Sequence, residues 1–233
     1  MTKNLTLILA AFTLSATAAD WANWRGPNHN GSTVAAGLPV KFSKTENIAW
    51  KVAMPGPSAA TPIILGDKVF VSSTDPKAKE LLALCLDRRT GKEIWRQVVG
   101  EGYQLDNRSN YASPSPATDG EVVTFFYGNG DLATFDLNGK KLWATKIQAE
   151  ENGFAFQWTF STSPLLHNDV LYLQVLQRNT GVRGHGKANG NESYLLALNP
   201  KTGKQLWKHN RPSNAKAESL EAFSTPMPFT YNG

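Results

Sequence analysis

Three stretches of this chain follow one plan, and that repetition limits the fold more than any other feature. The first holds Thr61-Pro62-Ile63-Ile64, Lys68-Val69-Phe70-Val71, Leu84-Cys85-Leu86-Asp87 and Thr90-Gly91-Lys92-Glu93-Ile94-Trp95. The second holds Ser115-Pro116, Val122-Val123-Thr124-Phe125, Leu132-Ala133-Thr134-Phe135-Asp136 and Asn138-Gly139-Lys140-Lys141-Leu142-Trp143. The third holds Ser163-Pro164-Leu165-Leu166, Val170-Leu171-Tyr172-Leu173, Leu196-Ala197-Leu198-Asn199 and Thr202-Gly203-Lys204-Gln205-Leu206-Trp207. Ile48-Ala49-Trp50-Lys51 matches the tail of an earlier copy, and Ser224-Thr225-Pro226 the opening of a later one. The closing tryptophans, Trp50, Trp95, Trp143 and Trp207, stand 45, 48 and 64 residues apart. That is the spacing of four-stranded blades rather than of helical repeats.

Each piece of the plan has a physical job. The short β-branched and aromatic runs are bounded by Gly, Asn and Asp and read as strands. Gly91, Gly139 and Gly203 supply the positive φ that a tight hairpin turn needs. The tryptophan four residues after each glycine ends the last strand and can pack between neighbouring blades. Ser-Pro or Thr-Pro suits a first strand position, where the missing amide donor costs least. No stretch keeps a capped helical period of 3.6. The expected fold is all-β, a β-propeller of four-stranded antiparallel blades, since one such blade cannot bury both faces alone.

The first nineteen residues read differently. Lys3 precedes an apolar stretch from Leu5 to Leu14, followed by Ser15-Ala16-Thr17-Ala18-Ala19. This is the order of a secretory signal peptide, and about 10 apolar residues are too few to span a bilayer. Small side chains before the cut fit either Ala16/Ala18 or Thr17/Ala19. We assign 1–19 to the leader and 20–233 to the propeller domain, and expect a periplasmic or secreted protein. No cysteine lies near the cut, so no lipid anchor is expected there, and no run elsewhere is long enough for a transmembrane helix. The 24 basic and 19 acidic residues give +5, but they are dispersed and form no block that would grip nucleic acid. A single cysteine, Cys85, excludes an internal disulfide framework and a Cys-rich metal site.

Leu196-Ala197-Leu198-Asn199-Pro200-Lys201-Thr202-Gly203-Lys204-Gln205-Leu206-Trp207 resembles the blade consensus of the pyrroloquinoline-quinone-like (PQQ-like) β-propeller repeat family. Trp21-Ala22-Asn23-Trp24-Arg25-Gly26-Pro27-Asn28, with Gly37-Leu38-Pro39 and Glu46 to Lys51, looks like the opening of a secreted branch frequent in planctomycete-like bacteria. The resemblance implies a ring of seven or eight blades, of which this chain would supply about four blades' worth as the N-terminal part, truncated at its C-terminus. A ring-forming half is the alternative. The family includes quinoprotein dehydrogenases and outer-membrane assembly scaffolds, so the resemblance specifies fold far better than chemistry. In its PQQ-dependent alcohol dehydrogenases the cofactor lies between a Trp face and a disulfide of adjacent cysteines, beside Ca²⁺ held by carboxylates and amides, with an Asp as base. Cys85 has no neighbouring partner and reads as a buried apolar residue.

Candidate site residues lie just ahead of the Ser/Thr-Pro strand starts, where a propeller's innermost strands converge. Arg108, Asn110 and Tyr111 precede Pro114; Gln157 and Trp158 precede Pro164; Glu218 to Phe223 precede Pro226. Trp158 and Tyr111 offer stacking faces, and Arg108, Asn110 and Gln157 offer directional polar groups, the mix of a ligand site. Trp158 has the competing role of inter-blade core. The histidines His29, His167, His185 and His209 show no metal-ligand spacing, so no metal site is expected. His185 sits in a Gly-rich insertion of the third repeat, read as a solvated hairpin extension or as a binding loop on a rigid scaffold. Arg25, Asn28 and His29 are expected to pin the N-terminal segment across a blade. The reading is an exported binding or scaffolding module whose partner is an envelope protein or a polysaccharide-like ligand. No cofactor is evident and no catalytic constellation is visible. A quinoprotein oxidoreductase using PQQ with Ca²⁺ is the alternative, and a glycosidase built on Asp106 and Glu221 a weaker one.

Overall fold

The computed structural model describes residues 20–148 and 153–231; the leader expected over 1–19 lies outside them. Three four-stranded antiparallel sheets follow one another along the chain. Blade A is β1 (Ile63–Leu65), β2 (Lys68–Asp75), β3 (Glu80–Asp87) and β4 (Glu93–Glu101). Blade B is β5 (Ala117–Thr118), β6 (Val122–Phe126), β7 (Asp131–Asp136) and β8 (Lys141–Lys146). Blade C is β9 (Leu165–His167), β10 (Val170–Val175), β13 (Tyr194–Leu198) and β14 (Gln205–Asn210), with the hairpin β11 (Thr180–Val182) and β12 (His185–Asn189) inserted before its third strand. A single 3-10 turn, Ala217–Leu220, is the one helical piece among the described residues. The blades form an open arc, as the repeat plan predicts, and the 64-residue spacing is that hairpin.

Alternation along each strand sends side chains to two seams. In β6, Val123 and Phe125 join Ile63, Phe70, Cys85 and Trp95 in the core between blades A and B. Val122 and Phe126, on the opposite face, join Leu132, Phe160, Leu171 and Leu173 in the core between blades B and C. The repeated plan of each blade therefore serves the seams with its neighbours.

Two repeated locks close these seams. On the outside, each tryptophan covers the turn glycine of the next repeat. A Cβ on Gly91 would lie 2.6 Å from the Trp50 ring, one on Gly139 2.8 Å from Trp95, and one on Gly203 2.6 Å from Trp143. The three glycines have φ of 71°, 87° and 71°, so the turn and the close approach both demand glycine. Each indole N–H then donates to a carbonyl in the turn it covers: Trp50 to Arg88 at 2.8 Å, Trp95 to Leu137 at 3.3 Å and Trp143 to Pro200 at 2.7 Å. Trp207, the fourth in the series, is 42% exposed.

On the inside, the residue before each proline links repeat to repeat. The Thr61 N–H donates to Ser115 Oγ at 2.8 Å, the Ser115 N–H to Ser163 Oγ at 2.9 Å, and the Ser163 N–H to Thr225 Oγ1 at 3.2 Å. The Ser/Thr-Pro pair thus does more than start a strand: its hydroxyl satisfies an amide of the preceding blade. An N-terminal strap crosses the same strands. Trp21 exchanges backbone bonds with Ile64 of β1, the Thr118 N–H of β5 donates to the Ala22 carbonyl, and His29 meets His167 of β9 edge-on. Burial, then the neighbouring His167, lowers the His29 pKa.

Candidate functional site

Two long connections and the hairpin frame a cavity of about 360 Å³. The β4–β5 connection contributes Gln104, Asp106 and Tyr111; the β8–β9 connection contributes Phe154, Phe156, Gln157, Trp158 and Thr159; the hairpin contributes Arg183 and His185. Gly128 and Asn129, in the β6–β7 turn, and the strand ends Glu101 and Lys146 also line it. A Cβ on Gly128 would fall 2.6 Å from the Phe160 carbonyl and 2.7 Å from Thr159 Cγ2. Only glycine lets the turn pack this closely against the β8–β9 connection, although its backbone needs no positive φ.

Asp106 fastens the two connections together. Its carboxylate accepts from the Arg108 and Ser109 N–H groups at 2.7 Å each, the Ser109 hydroxyl, the Thr159 N–H at 3.0 Å and the Thr159 hydroxyl at 2.8 Å. Burial alone raises its pKa, but the donors from Thr159, Arg108 and Ser109 outweigh that and hold it down at about 2. An acid so committed is a clasp and has no proton to give at neutral pH. Glu221 is also engaged, in a buried ion pair with Arg178 Nε and as acceptor of the Gln157 N–H. The two acids weighed for a glycosidase are therefore both used in holding loops.

The residues singled out from sequence fall as follows. Tyr111, Gln157 and Trp158 line the cavity. Arg108 is exposed and outside the lining, and its guanidinium carbon lies 5.7 Å from the centre of the Trp158 ring. Arg183, on the hairpin turn, lies over the same ring at 5.1 Å. Gln157 is held by Arg178, whose Nη2 donates to its Oε1 at 2.8 Å. Asn110 is outside the lining: it is buried, and its Oδ1 accepts the Ala112 N–H at 2.9 Å in an Asx turn that shapes the β4–β5 connection. The insertion is a hairpin, and Arg183 and His185 bring it to the cavity. Sequence reasoning missed Glu101, Gln104, Lys146 and the β6–β7 turn. For the turn a signal existed, since Gly128-Asn129-Gly130-Asp131 is richer than a hairpin requires.

Cys85 lies in β3, fully buried beside Phe70 and Trp95. Burial pushes its thiol up to about 12, the environment of an inert packing residue. Among the described residues no three His, Cys, Asp or Glu side chains gather as a metal site, and no helix is long and apolar enough to cross a membrane.

Residues 32–182, well over half of the chain, match the PQQ-like repeat family described as "Outer membrane protein assembly factor BamB". A search of the curated proteins finds no match. Among solved structures, a europium-containing methanol dehydrogenase is 19% identical with a TM-score of 0.46, over 64% of this chain and 24% of its own. The quinohemoprotein alcohol dehydrogenase ADHIIG from Pseudomonas putida HK5 is 20% identical with a TM-score of 0.46, over 69% of this chain and 22% of its own. BamB from Moraxella catarrhalis is 16% identical with a TM-score of 0.43, over 69% and 42%. The chain thus spans less than half the length of each of these structures.

Proposed function

The chain belongs to the PQQ-like β-propeller repeat family, and from that premise we propose that it is an exported binding and scaffolding module of the cell envelope, periplasmic or secreted. Its ligand is an envelope protein or a polysaccharide-like molecule taken up at the cavity between the β4–β5 and β8–β9 connections. The observation that carries this reading is the division of labour in the lining. Asp106, Thr159, Gln104 and Gly128 are spent on fixing the walls, with Gln104 Nε2 donating to Thr159 Oγ1 at 3.2 Å. Trp158, Tyr111 and the Arg183 guanidinium are left to meet a ligand, with Arg108 flanking Trp158 from outside the lining. A preformed frame that presents uncommitted groups loses little ordering entropy on binding.

The quinoprotein alternative asks for a cofactor and its metal, and the described residues do not fit that group. Trp158 could stack on a planar ring, but Cys85 is a lone core residue, and the carboxylate of Asp106 is already filled by protein donors. The test is a titration of the full chain with size-fractionated envelope polysaccharides, followed by tryptophan fluorescence. Saturable quenching lost in Trp158→Ala but kept in Trp207→Ala supports the reading. Quenching that survives Trp158→Ala, or disappears only in Trp207→Ala, removes the cavity from the account.

A further inference from the structure

We propose that the cavity selects a carboxylated sugar, an acidic polysaccharide of the uronate type; this rests on the reading of the cavity as the binding site. Two guanidiniums, those of Arg108 and Arg183, lie over one half-buried indole at 5.7 and 5.1 Å. They come from different blades' connections, the β4–β5 segment and the β11–β12 hairpin, so only the folded arc brings them together. Among the described residues neither side chain has a carboxylate partner. The cation–π contact holds each near the ring while leaving its N–H fork unspent. Such a fork matches a carboxylate's two oxygens.

The rest of the lining suits the sugar to which that carboxylate belongs. A pyranose ring offers an apolar C–H face with slight positive charge, which complements the negative face of an aromatic ring. Tyr111 provides such a face beside the Trp158 ring that the arginines flank, and among the described residues no hydrogen-bond partner engages the Tyr111 hydroxyl. Glu101, whose backbone carbonyl accepts from Asn129 Nδ2 at 3.1 Å, adds acceptors for sugar hydroxyls to the lining; the Asn129 side chain is also engaged with Asp131 Oδ2 at 2.7 Å. A further cation of the lining, Lys146, already faces Asp131 at 3.5 Å. An acidic peptide would use the arginines but has no pyranose C–H face to lay on the aromatic rings.

The probe is an oligogalacturonate, titrated into the full chain by calorimetry beside its methyl-esterified form and a Glu-rich peptide of equal charge. Saturable binding of the free acid, at least tenfold tighter than the ester and weakened at least tenfold by Arg183→Gln or Arg108→Gln, is the expected result. Both arginines are exposed, and glutamine keeps the side-chain stem at the Arg183 turn, so both variants should fold; unfolding midpoints equal to wild type check this. Equal binding of acid and ester, unaffected by Arg183→Gln, overturns the acidic-sugar proposal and leaves the cavity reading standing. Binding of the peptide alone replaces the sugar with an acidic protein segment. No binding of any probe overturns the proposal, while the Trp158 comparison with envelope fractions judges the cavity separately.

Discussion

Replacing Gly139 with alanine puts the outer lock to a quantitative test, because Gly120 in the same blade is a matched control. Both glycines have positive φ, 87° and 97°. An alanine at either position carries the left-handed strain of about 1–2 kcal/mol and the same small gain from a stiffer unfolded chain. The surroundings differ. A Cβ at Gly120 meets nothing within 4 Å, whereas one at Gly139 would lie 2.8 Å from Trp95 Cγ and 2.9 Å from its Cδ2. Trp95 cannot retreat, since Phe70, Phe125 and Phe135 surround it at ring distances of 5.9, 6.2 and 5.8 Å. Overfilling such a site costs about 1–3 kcal/mol. Gly120→Ala should therefore lose about 1–2 kcal/mol and Gly139→Ala about 2–5 kcal/mol. Urea unfolding of the full chain, compared at unchanged m-value, measures both. Equal losses in the two variants would refute the claim that the tryptophan over the turn glycine holds neighbouring blades together.

Three further outcomes follow from the same contacts. Ser163→Ala strips the buried Ser115 N–H of its acceptor and should cost about 1–3 kcal/mol, read from the unfolding midpoint; a neutral substitution would show that the inner ladder is incidental. Because the folded pKa of Asp106, about 2, lies below that of an unfolded Asp, roughly 3.9, its contribution is full above the unfolded value and lost as pH falls through the folded one. Wild type should accordingly lose stability more steeply between about pH 4 and pH 2 than Asp106→Asn, and parallel acid profiles would contradict the clasp. Cys85, with its thiol pushed up to about 12 by burial, should resist thiol reagents at pH 8 until the chain unfolds; labelling at the rate of an exposed thiol would place it outside the core.

Much of the architecture is written locally, and this explains what could be read in advance. Strand, turn glycine and closing tryptophan recur at fixed offsets, so blades A, B and C and the hairpin insertion were all legible from self-similarity. The partner of each tryptophan was not, because the glycine it covers belongs to the next repeat, more than forty residues on. The same distance hid the hydroxyl ladder, where Ser115 is answered by Ser163. At the site, Tyr111, Gln157 and Trp158 could be picked out because they precede strand starts. Asn110 precedes one too, but a local Asx turn uses its side chain. Arg183 reaches Trp158 through the fold of the β11–β12 hairpin, and no local pattern marks that meeting. Asp106 was noticed as an acid, yet its role depends on Thr159, which arrives from another blade.

The seven tryptophans offer the most direct test of the central claim, that the cavity at Trp158 is where the protein meets its ligand. Each indole N–H gives its own signal in a nitrogen–proton correlation spectrum, and single Trp→Phe variants assign them. On adding a binding fraction of acidic polysaccharide, the signal of Trp158 should shift saturably. Those of Trp50, Trp95 and Trp143, tied to backbone carbonyls in the blade seams, should stay in place. A shift confined to the exposed Trp207, or a spectrum in which Trp158 does not move while binding is saturated, would contradict the account.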